Sequence, residues 1–427
     1  MRKNMKKLTV ATVIGAMTVT ALAPVSAQAK DKTLTVAIWD NGQKAGLQEI
    51  MDEFTKETGI KTELQVVEWS SYWTLLEAGA SGGDMPDVFW MHSNEAVRYM
   101  SNDILLDLTD KIADSDKLEM DKFPKDIKEM YQWDGKTYAV PKDIDTIAMW
   151  YNKDMFDEAG IDYPDGSWTW DEFYDIAEKL TKEDGSQYGF AANPSNEQDT
   201  WMNIVYSMGG CVLTDDNKSG FDDPNTIKAM EFVDKCVKNV MPPASTMSET
   251  GTDVLFGSGK VAMISQGSWM VSAFKDNDYI KEHCDVARLP KDAETGESVS
   301  LYNGLGWAAS ANTDMPDEAF QLIEWFGSKD MQQKQADLGV TMLAAGTMAA
   351  YEGMSDGWVN SVDCFNLQPY MDAMDNIVFR PHTNATLAWW NPMCEELKKP
   401  WNDEESMDDA CKNIVTIMND AIAEESY

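Results

Sequence analysis

The chain has 427 residues, 43% of them hydrophobic, and its 73 acidic and 35 basic side chains give a formal net charge of −38. This length exceeds what one hydrophobic core usually organises, which predicts two domains, and the apolar content excludes wholesale disorder. The acidic excess argues against a nucleic-acid partner, because phosphate binding needs clustered Lys and Arg.

The N-terminus has the pattern of a secretory signal. Four basic residues within positions 2–7 precede an apolar stretch over 8–23, and Ala27-Gln28-Ala29 provides a small-residue cleavage site. We interpret 1–29 as a signal peptide, since an apolar stretch of 16 residues is shorter than the roughly 20 that a spanning helix needs. Its removal changes the net charge from −38 to −42.

The absence of a Cys near the cleavage point bears on where the protein is retained. The first Cys is Cys211, so a lipid on a new N-terminal Cys is not expected. We therefore expect a protein secreted across the cytoplasmic membrane into the periplasm, the medium or the cell surface, with its means of retention left open.

The first part of the mature chain alternates strands and helices. A strand over Leu34–Ile38 leads through a loop, 40–43, into an apolar stripe from Leu47 to Phe54 that ends at Gly59. A strand around 64–67, a helix over 70–80 and a short buried strand over 87–90 follow, and then a polar loop over 92–95. Such units predict an α/β sheet whose ligands lie beyond the carboxyl ends of its strands.

From Ile161 onward the pattern is richer in helices. The predicted elements are a helix over 170–180 introduced by Thr169, helices over 227–237 and 253–259, a strand over 261–264, and amphipathic helices over 319–326 and 410–421. No linker separates the two expected domains. This continuity suggests that the chain crosses between lobes more than once.

Metal and cofactor chemistry finds little support in the residue pattern. His92, His283 and His382 are scattered, so we predict no metal site and no cofactor. Six cysteines without a CxxC pair are equally consistent with buried thiols and with disulfides. They are Cys211, Cys236, Cys284, Cys364, Cys394 and Cys411.

Three ligand-binding motifs nearly match and fail. The segment 257–260 lacks the first Gly and the final Ser or Thr of a phosphate loop, and no periodic helix follows the Gly-rich segment 304–309. The segment 215–226 has Thr226 where a calcium loop requires Glu, so we interpret it as a turn before a helix.

Asp143 and Asp145 form the most suggestive acidic pair. They lie two residues apart on an extended segment, so both carboxylates point the same way and can flank one ligand. Hydrogen bonding to ligand hydroxyls, a solvated surface position and acid/base catalysis remain open for them.

Short motifs in the same order along nearly the whole mature chain resemble the extracellular sugar-binding proteins of ABC transporters, the maltose- and multiple-sugar-binding group. The matching segments are the opening strand and helix through Phe54 to Gly59, then 83–88, 105–108, 138–141, 150–156, 256–263 and 267–269. The resemblance implies two α/β lobes, each a sheet flanked by helices, joined by crossovers near 141–145, 301–306 and 339–346. The implied N-terminal lobe is 30–142 plus 303–343, and the C-terminal lobe is 143–302 plus 344–427.

The resemblance also implies a binding site for a carbohydrate, expected to be an oligosaccharide. A pyranose needs aromatic platforms for its C–H face and carboxylates or amides for its hydroxyls. The residues implied for ligand binding are Asp40, Asn41, Trp69, Tyr72, Trp90, Ser93, Asn94, Glu95, Asp143, Asp145, Trp201, Trp269, Arg380 and Trp389. Trp69, Trp90 and Trp201 are also consistent with core positions, and only one of the adjacent Trp389 and Trp390 is expected to face the cleft, since neighbours on a helix diverge by roughly 100°.

The implied function is a monomeric, non-enzymatic receptor that delivers sugar to membrane permease subunits. Two alternatives remain at this point. The acidic charge is consistent with a polyamine or other cationic ligand on the same fold, and the pair Asp143 and Asp145 is consistent with a secreted glycoside hydrolase.

Overall fold

A computed structural model describes residues 33–192, 198–340 and 354–425. The strands are β1 (Thr33–Ile38), β2 (Lys61–Val66), β3 (Val88–Met91), β4 (Gln132–Trp133), β5 (Lys136–Thr137), β6 (Ala139–Pro141), β7 (Ile147–Asn152), β8 (Tyr188–Ala191), β9 (Val261–Gly267), β10 (Cys284–Ala287), β11 (Ser300–Tyr302), β12 (Gly306–Ala309) and β13 (Ile377–Phe379). The predicted signal peptide lies outside the described residues.

Helices cover the sheets and the C-terminal part of the chain. They are α1 (Lys44–Thr58), α2 (Trp69–Gly82), α3 (Ser93–Ser101), α4 (Thr109–Ala113), α5 (Lys125–Met130), α6 (Lys153–Ala159), α7 (Trp170–Leu180), α8 (Trp201–Ser207), α9 (Pro224–Asn239), α10 (Ala244–Thr250), α11 (Thr252–Gly257), α12 (Val271–Phe274), α13 (Asp278–His283), α14 (Pro316–Gly327), α15 (Lys329–Asp337), α16 (Met354–Val359), α17 (Gln368–Asp372), α18 (Thr386–Trp401) and α19 (Met407–Glu425). Short 3₁₀ turns cover Met120–Lys122, Ser268–Met270 and Ala373–Asp375.

Two sheets form the frames of two α/β lobes. The first has the order β2-β1-β3-β12-β6, in which β2, β1 and β3 are parallel and β12 is antiparallel to both of its neighbours. The second has the order β10-β7-β9-β8, in which only β8 and β9 are parallel. The α/β fold predicted from strand and helix alternation is confirmed.

The alternation of side chains in β1 explains how the first sheet is covered on both faces. Leu34, Val36 and Ile38 are fully buried in a cluster with the apolar stripe of α1, whereas Ala37 faces a second cluster on the other side. Trp307 of β12 stacks on Phe326 of α14 in the first cluster, with ring centroids 4.2 Å apart. This packing holds the carboxyl ends of β1 and β3 in place beside each other.

The chain passes between the sheets in two described segments. The first, 142–146, joins β6 of the first sheet to β7 of the second, and the second, 303–305, joins β11, which pairs with β13 in a separate two-stranded sheet, to β12 of the first sheet. A backbone bridge between Asp145 and Asn303 ties the two segments together. The third predicted crossover, near 339–346, lies mostly outside the described residues.

One predicted loop is wrong. Residues 92–95 were expected to form a polar loop after β3, but α3 begins at Ser93. The His92 side chain accepts a hydrogen bond from the Asn94 backbone N–H and so caps the first turn, while Ala96, Tyr99 and Met100 bury the apolar face of the helix. A histidine cap is not among the usual signals of a helix start.

Two further observations concern membrane-spanning helices and the cysteines. No helix in the described part of the chain is both long enough and apolar enough to cross a membrane. Cys236, Cys284 and Cys411 are buried thiols, and burial raises the pKa of each to about 12. Such thiols are unreactive at neutral pH.

Candidate functional site

A cavity of about 760 Å³ lies where the two crossover segments meet the ends of the strands. It is lined by Trp39, Asp40, Gln43, Trp69, Trp73, His92, Asn94, Glu95, Asp143, Asp145, Gln198, Trp269, Met270, Ala273, Leu305, Arg380, Leu387, Trp390 and Asn391. These residues lie in segments that follow strands, in both crossover segments, in the turn before α8, and on helices including α2, α3 and α18. The volume is in the range of roughly 300–1,000 Å³ typical of small-molecule sites.

Aromatic rings form one wall of the cavity. Trp39, directly after β1, contacts Trp69 and Trp73 with ring centroids 5.0 and 6.0 Å away. Trp69 and Trp73 are one helical turn apart on α2, so both lie on the same side of that helix. Trp69 remains 41% exposed in this wall, which leaves an apolar ring available to a ligand.

A second group of aromatic side chains lines the cavity from the other sheet and from α18. Trp269 follows β9 in a 3₁₀ turn, and its ring lies over Gly267, where a Cβ atom would come within 1.9 Å of it. The absence of a side chain at Gly267 therefore sets the orientation of Trp269. Trp390 carries the Arg380 guanidinium above its ring, 4.1 Å from the centroid.

Carboxylates and amides occupy the floor of the cavity. Asp40 Oδ2 accepts a hydrogen bond from Gln43 Nε2 at 2.9 Å, and Gln43 Oε1 in turn accepts one from Lys142 Nζ at 2.9 Å. Lys142 is fully buried, pairs with Asp143 Oδ2 at 2.5 Å and lies 4.5 Å from the ring centroid of Trp90. This chain of contacts joins the end of β1 to the first crossover segment.

Asp145 occupies a different electrostatic environment from Asp143. Its Oδ1 accepts hydrogen bonds from Gln198 Nε2 at 2.5 Å and from the Asn303 backbone N–H at 3.0 Å. Desolvation, reinforced by the charge of Asp143, raises the pKa of Asp145 to about 8. At neutral pH most molecules therefore carry Asp145 as a neutral carboxylic acid.

His92 is neutral at the base of the aromatic wall. Desolvation and the charge of Arg380 lower the pKa of His92 to about 3. Its Nδ1 accepts from the Asn94 N–H at 3.2 Å, so the ring proton is on Nε2, which lies 3.3 Å from the side-chain amide of Asn303. We therefore orient that amide with its oxygen toward Nε2–H, which also gives the otherwise unsatisfied Asn303 oxygen a partner.

Eight of the fourteen predicted ligand-binding residues line the cavity. They are Asp40, Trp69, Asn94, Glu95, Asp143, Asp145, Trp269 and Arg380. Arg380 Nη1 donates a hydrogen bond to Asn94 Oδ1, and Glu95 pairs with Arg98 at 2.6 Å. Burial raises the pKa of Glu95, an effect that Arg98 opposes.

The other six predicted residues do not line this cavity. Asn41 is exposed beside it, and Ser93 is buried and lines a smaller cavity of about 260 Å³ between α3 and the start of α18. Tyr72, Trp90, Trp201 and Trp389 are fully buried. Tyr72 donates to the Trp90 carbonyl at 2.8 Å and Trp389 donates to Thr383 at 3.0 Å, so both support the site from behind.

Several residues that line the cavity were not predicted from the sequence. Their positions depend on how a helix is rotated against its neighbours or on loops that are distant along the chain. Trp73 and Trp390 are cavity-lining neighbours of residues that were predicted, Tyr72 and Trp389. Gln198 comes from a turn before α8 that carries no motif. Trp39 could have been predicted as a site residue, because it lies directly after a predicted strand and directly before Asp40.

Two known proteins with similar sequences come from one organism. A maltodextrin-binding protein of Bacillus subtilis is 24% identical over 93% of this chain and 90% of its own length. A galactooligosaccharide-binding protein of the same organism is 26% identical, over 66% of this chain and 65% of its own length. The ligand in each name is the ligand of that relative.

A solved structure shows the same fold. An ABC substrate-binding protein from Listeria monocytogenes, in complex with cycloalternan, superposes with a TM-score of 0.82 at 22% identity, covering 92% of this chain and 99% of that one. The model of the family described as bacterial extracellular solute-binding protein matches residues 39–333. This chain belongs to the bacterial extracellular solute-binding protein family.

Proposed function

We propose that the protein is the exported substrate-binding component of an ABC importer and that it captures a sugar, most simply an oligosaccharide, in the 760 Å³ cavity. The observation that carries the proposal is the combination of aromatic rings on two sides of the cavity with a carboxylate and amide floor. Rings stack on the C–H faces of a pyranose, and the floor accepts and donates hydrogen bonds to its hydroxyls.

The similar proteins support a saccharide ligand over other small molecules. Their names specify galactooligosaccharides, maltodextrin and, for a lipoprotein of Streptococcus pneumoniae that is 23% identical over 94% of this chain, maltooligosaccharides. Five tryptophans line the cavity here: Trp39, Trp69, Trp73, Trp269 and Trp390. Because Trp39, Trp69 and Trp73 form one group and Trp269 and Trp390 belong to another, rings are offered to a ligand from two sides of the cavity, which favours a chain of sugars.

The lobes, their movement and their partners belong to the same proposal. We assign the N-terminal lobe to 30–142 plus 303–343 and the C-terminal lobe to 143–302 plus 344–427, in agreement with the sheet to which each strand belongs. The lobes close on the ligand by hinging at the crossovers and present it to permease subunits. The protein acts as a monomer outside the cytoplasmic membrane, in the periplasm, the medium or at the cell surface.

A cationic ligand is disfavoured by the charges around the cavity. Asp143 is paired with Lys142, Glu95 with Arg98, and Asp145 is mostly protonated at neutral pH because burial raises its pKa to about 8. Arg380 adds a positive charge at the same cavity. Although the whole protein is acidic, Asp40, whose oxygens accept from the Gly42 N–H and Gln43 Nε2, is the one carboxylate of the described cavity lining left for a polyamine to pair with.

A calorimetric and fluorescence screen tests the proposed function. Neutral mono- and oligosaccharides are expected to include a binder with a dissociation constant on the order of micromolar, near −8 kcal/mol, and with a change in Trp emission. Silence across a broad glycan panel would contradict the proposal. Salt-sensitive binding of spermidine alone would establish a cation receptor instead.

The same samples address catalysis. Chromatography after long incubation is expected to recover the saccharides intact, as the names of the related binding proteins suggest. Hydrolysis products that disappear in Asp143→Asn or Asp145→Asn would establish a glycoside hydrolase.

Replacing Trp69 with alanine is expected to weaken saccharide binding about 30-fold, or ~2 kcal/mol, because an exposed platform in the cavity wall is lost. Calorimetry measures the change. Tyr163→Ala is the matched control, since Tyr163 is 42% exposed against 41% for Trp69 and does not line the cavity. Equal affinities in the two variants would remove Trp69 from the binding site.

A further inference from the structure

Asp145 lies at the junction of the two crossover segments with one carboxyl oxygen occupied and the other accessible. Oδ1 accepts from Gln198 Nε2 and from the Asn303 N–H. Oδ2 has no hydrogen-bond partner among the described residues. It is not one of the fully buried polar atoms that lack a partner, so it is accessible to solvent. Because Asp145 lines the 760 Å³ cavity, Oδ2 is the atom available to a ligand there.

The donors that Asp145 contacts are neutral. A side-chain amide and a backbone N–H satisfy Oδ1, and no Lys or Arg of the described chain lies within ion-pair distance of the carboxyl group. The nearby ammonium of Lys142 is directed to Asp143 and Gln43. Asp145 is therefore placed beside a second carboxylate without a counter-ion in contact.

The remaining groups around Asp145 do not reverse this balance. Arg380 attracts negative charge at Asp145, but its Nη1 donates to Asn94 and its guanidinium covers Trp390. His92 is neutral, and the Tyr131 hydroxyl donates to backbone carbonyls of Met91 and Gly304. Desolvation is the largest influence and raises the pKa of Asp145 to about 8, with Asp143 adding to it.

We propose that Asp145 binds the ligand as a neutral carboxylic acid, with Oδ2–H donating a hydrogen bond to an acceptor oxygen of the saccharide. This inference rests on the proposed function and deepens it. A hydroxyl, ring or glycosidic oxygen accepts such a bond, whereas a ligand ammonium cannot. The neutral Asp145 would thus select a ligand atom that accepts a hydrogen bond. An ionised Asp at the same position would select a ligand atom that donates one.

Affinity measured against pH tests the proposal. With the tightest saccharide of the panel, the dissociation constant of the wild-type protein is expected to be constant between pH 5.5 and 7. It should rise toward tenfold per pH unit well above the pKa of Asp145, with uptake of one proton on binding. Calorimetry in buffers of different ionisation enthalpy counts that proton.

Two variants separate proton donation from a structural role. Asp145→Asn keeps an oxygen for Gln198 and Asn303 and offers an N–H donor in place of Oδ2–H, so it should bind within about tenfold of wild type with a flat pH profile. Asp145→Ala lacks the donor and should bind at least about tenfold more weakly than Asp145→Asn below pH 7. These expectations follow from the cost of leaving a ligand acceptor unpaired.

Three outcomes would overturn the proposal: a wild-type affinity that is constant to pH 9.5, the same loss at high pH in Asp145→Asn, or tighter binding as Asp145 ionises. A second measurement does not depend on any ligand. Carboxyl ¹³C resonances of the ligand-free protein, compared with Asp145→Asn, should show one Asp still protonated at pH 7. Titration of that carbon near its usual value of 3.8 would overturn the proposal even if every saccharide failed to bind, whereas saccharide silence alone would contradict only the proposed function.

Discussion

Replacing Lys142 with methionine is expected to lower the free energy of unfolding by about 3–5 kcal/mol, the cost of removing one partner from a buried ion pair. The Lys142 side chain is 0% exposed and that of Asp143 is 7% exposed, so water cannot take the place of the ammonium. Gln43 and the face of the Trp90 ring lose the same cation. Methionine fills the volume but leaves the Asp143 charge uncompensated.

Urea denaturation measures this loss, and two controls define its cause. The double variant Lys142→Met with Asp143→Asn should recover at least half of the stability, because no buried charge is then left unpaired. Lys412→Met removes an exposed pair with Asp408 and should cost less than about 1 kcal/mol. A Lys142→Met variant as stable as Lys412→Met would show that the pair contributes nothing to folding.

The second large effect concerns the pH dependence of stability. The pKa of Asp145 is raised from 3.8 to about 8 in the folded protein, so the folded state holds a proton that the unfolded state has released. Stability is therefore fully present below the unfolded pKa and is lost as pH rises toward the folded value. Asn titrates in neither state, so Asp145→Asn should escape this loss.

The expected difference in unfolding free energy between the two proteins is large over a narrow pH range. Between pH 5 and pH 8, the unfolding free energy of Asp145→Asn minus that of wild type should grow by up to about 4 kcal/mol, at about 1.4 kcal/mol per pH unit. Urea titrations at several pH values measure it, and the difference cancels the contributions of all other groups. A difference that does not change with pH would show that Asp145 is ionised in the folded protein.

The periodic elements could be predicted from the sequence because local signals define them. The helix over 170–180 begins and ends where it was predicted, and at its start Thr169 and Glu172 form a reciprocal capping box. Likewise, Leu34, Val36 and Ile38 alternate into one apolar cluster as their spacing indicates. Asp40 and Trp269, which the family resemblance implied, lie two positions beyond the ends of β1 and β9, where the sheets position them beside the cavity.

Tertiary packing decided the rest of the site. On α2, Trp69 and Trp73 face the cavity while Tyr72 is buried, and on α18 Trp390 is in the cavity while Trp389 is buried. Each choice depends on how a helix is rotated against its neighbours, and adjacent aromatic residues leave that rotation ambiguous. The environment of Asp145 depends on Gln198 and Asn303, which are 53 and 158 residues away along the chain.

The sequence by itself therefore determined the alternating α/β fold, the family and the types of side chain that the site would use. Only the tertiary structure decided which of those side chains meet in the cavity, and that Asp143 pairs with the buried Lys142 whereas Asp145 contacts only neutral donors. The physical reason is that strand and helix patterns are local properties of the chain. Burial, and with it the cost of ionising Asp145 beside Asp143, exists only once distant segments have come together.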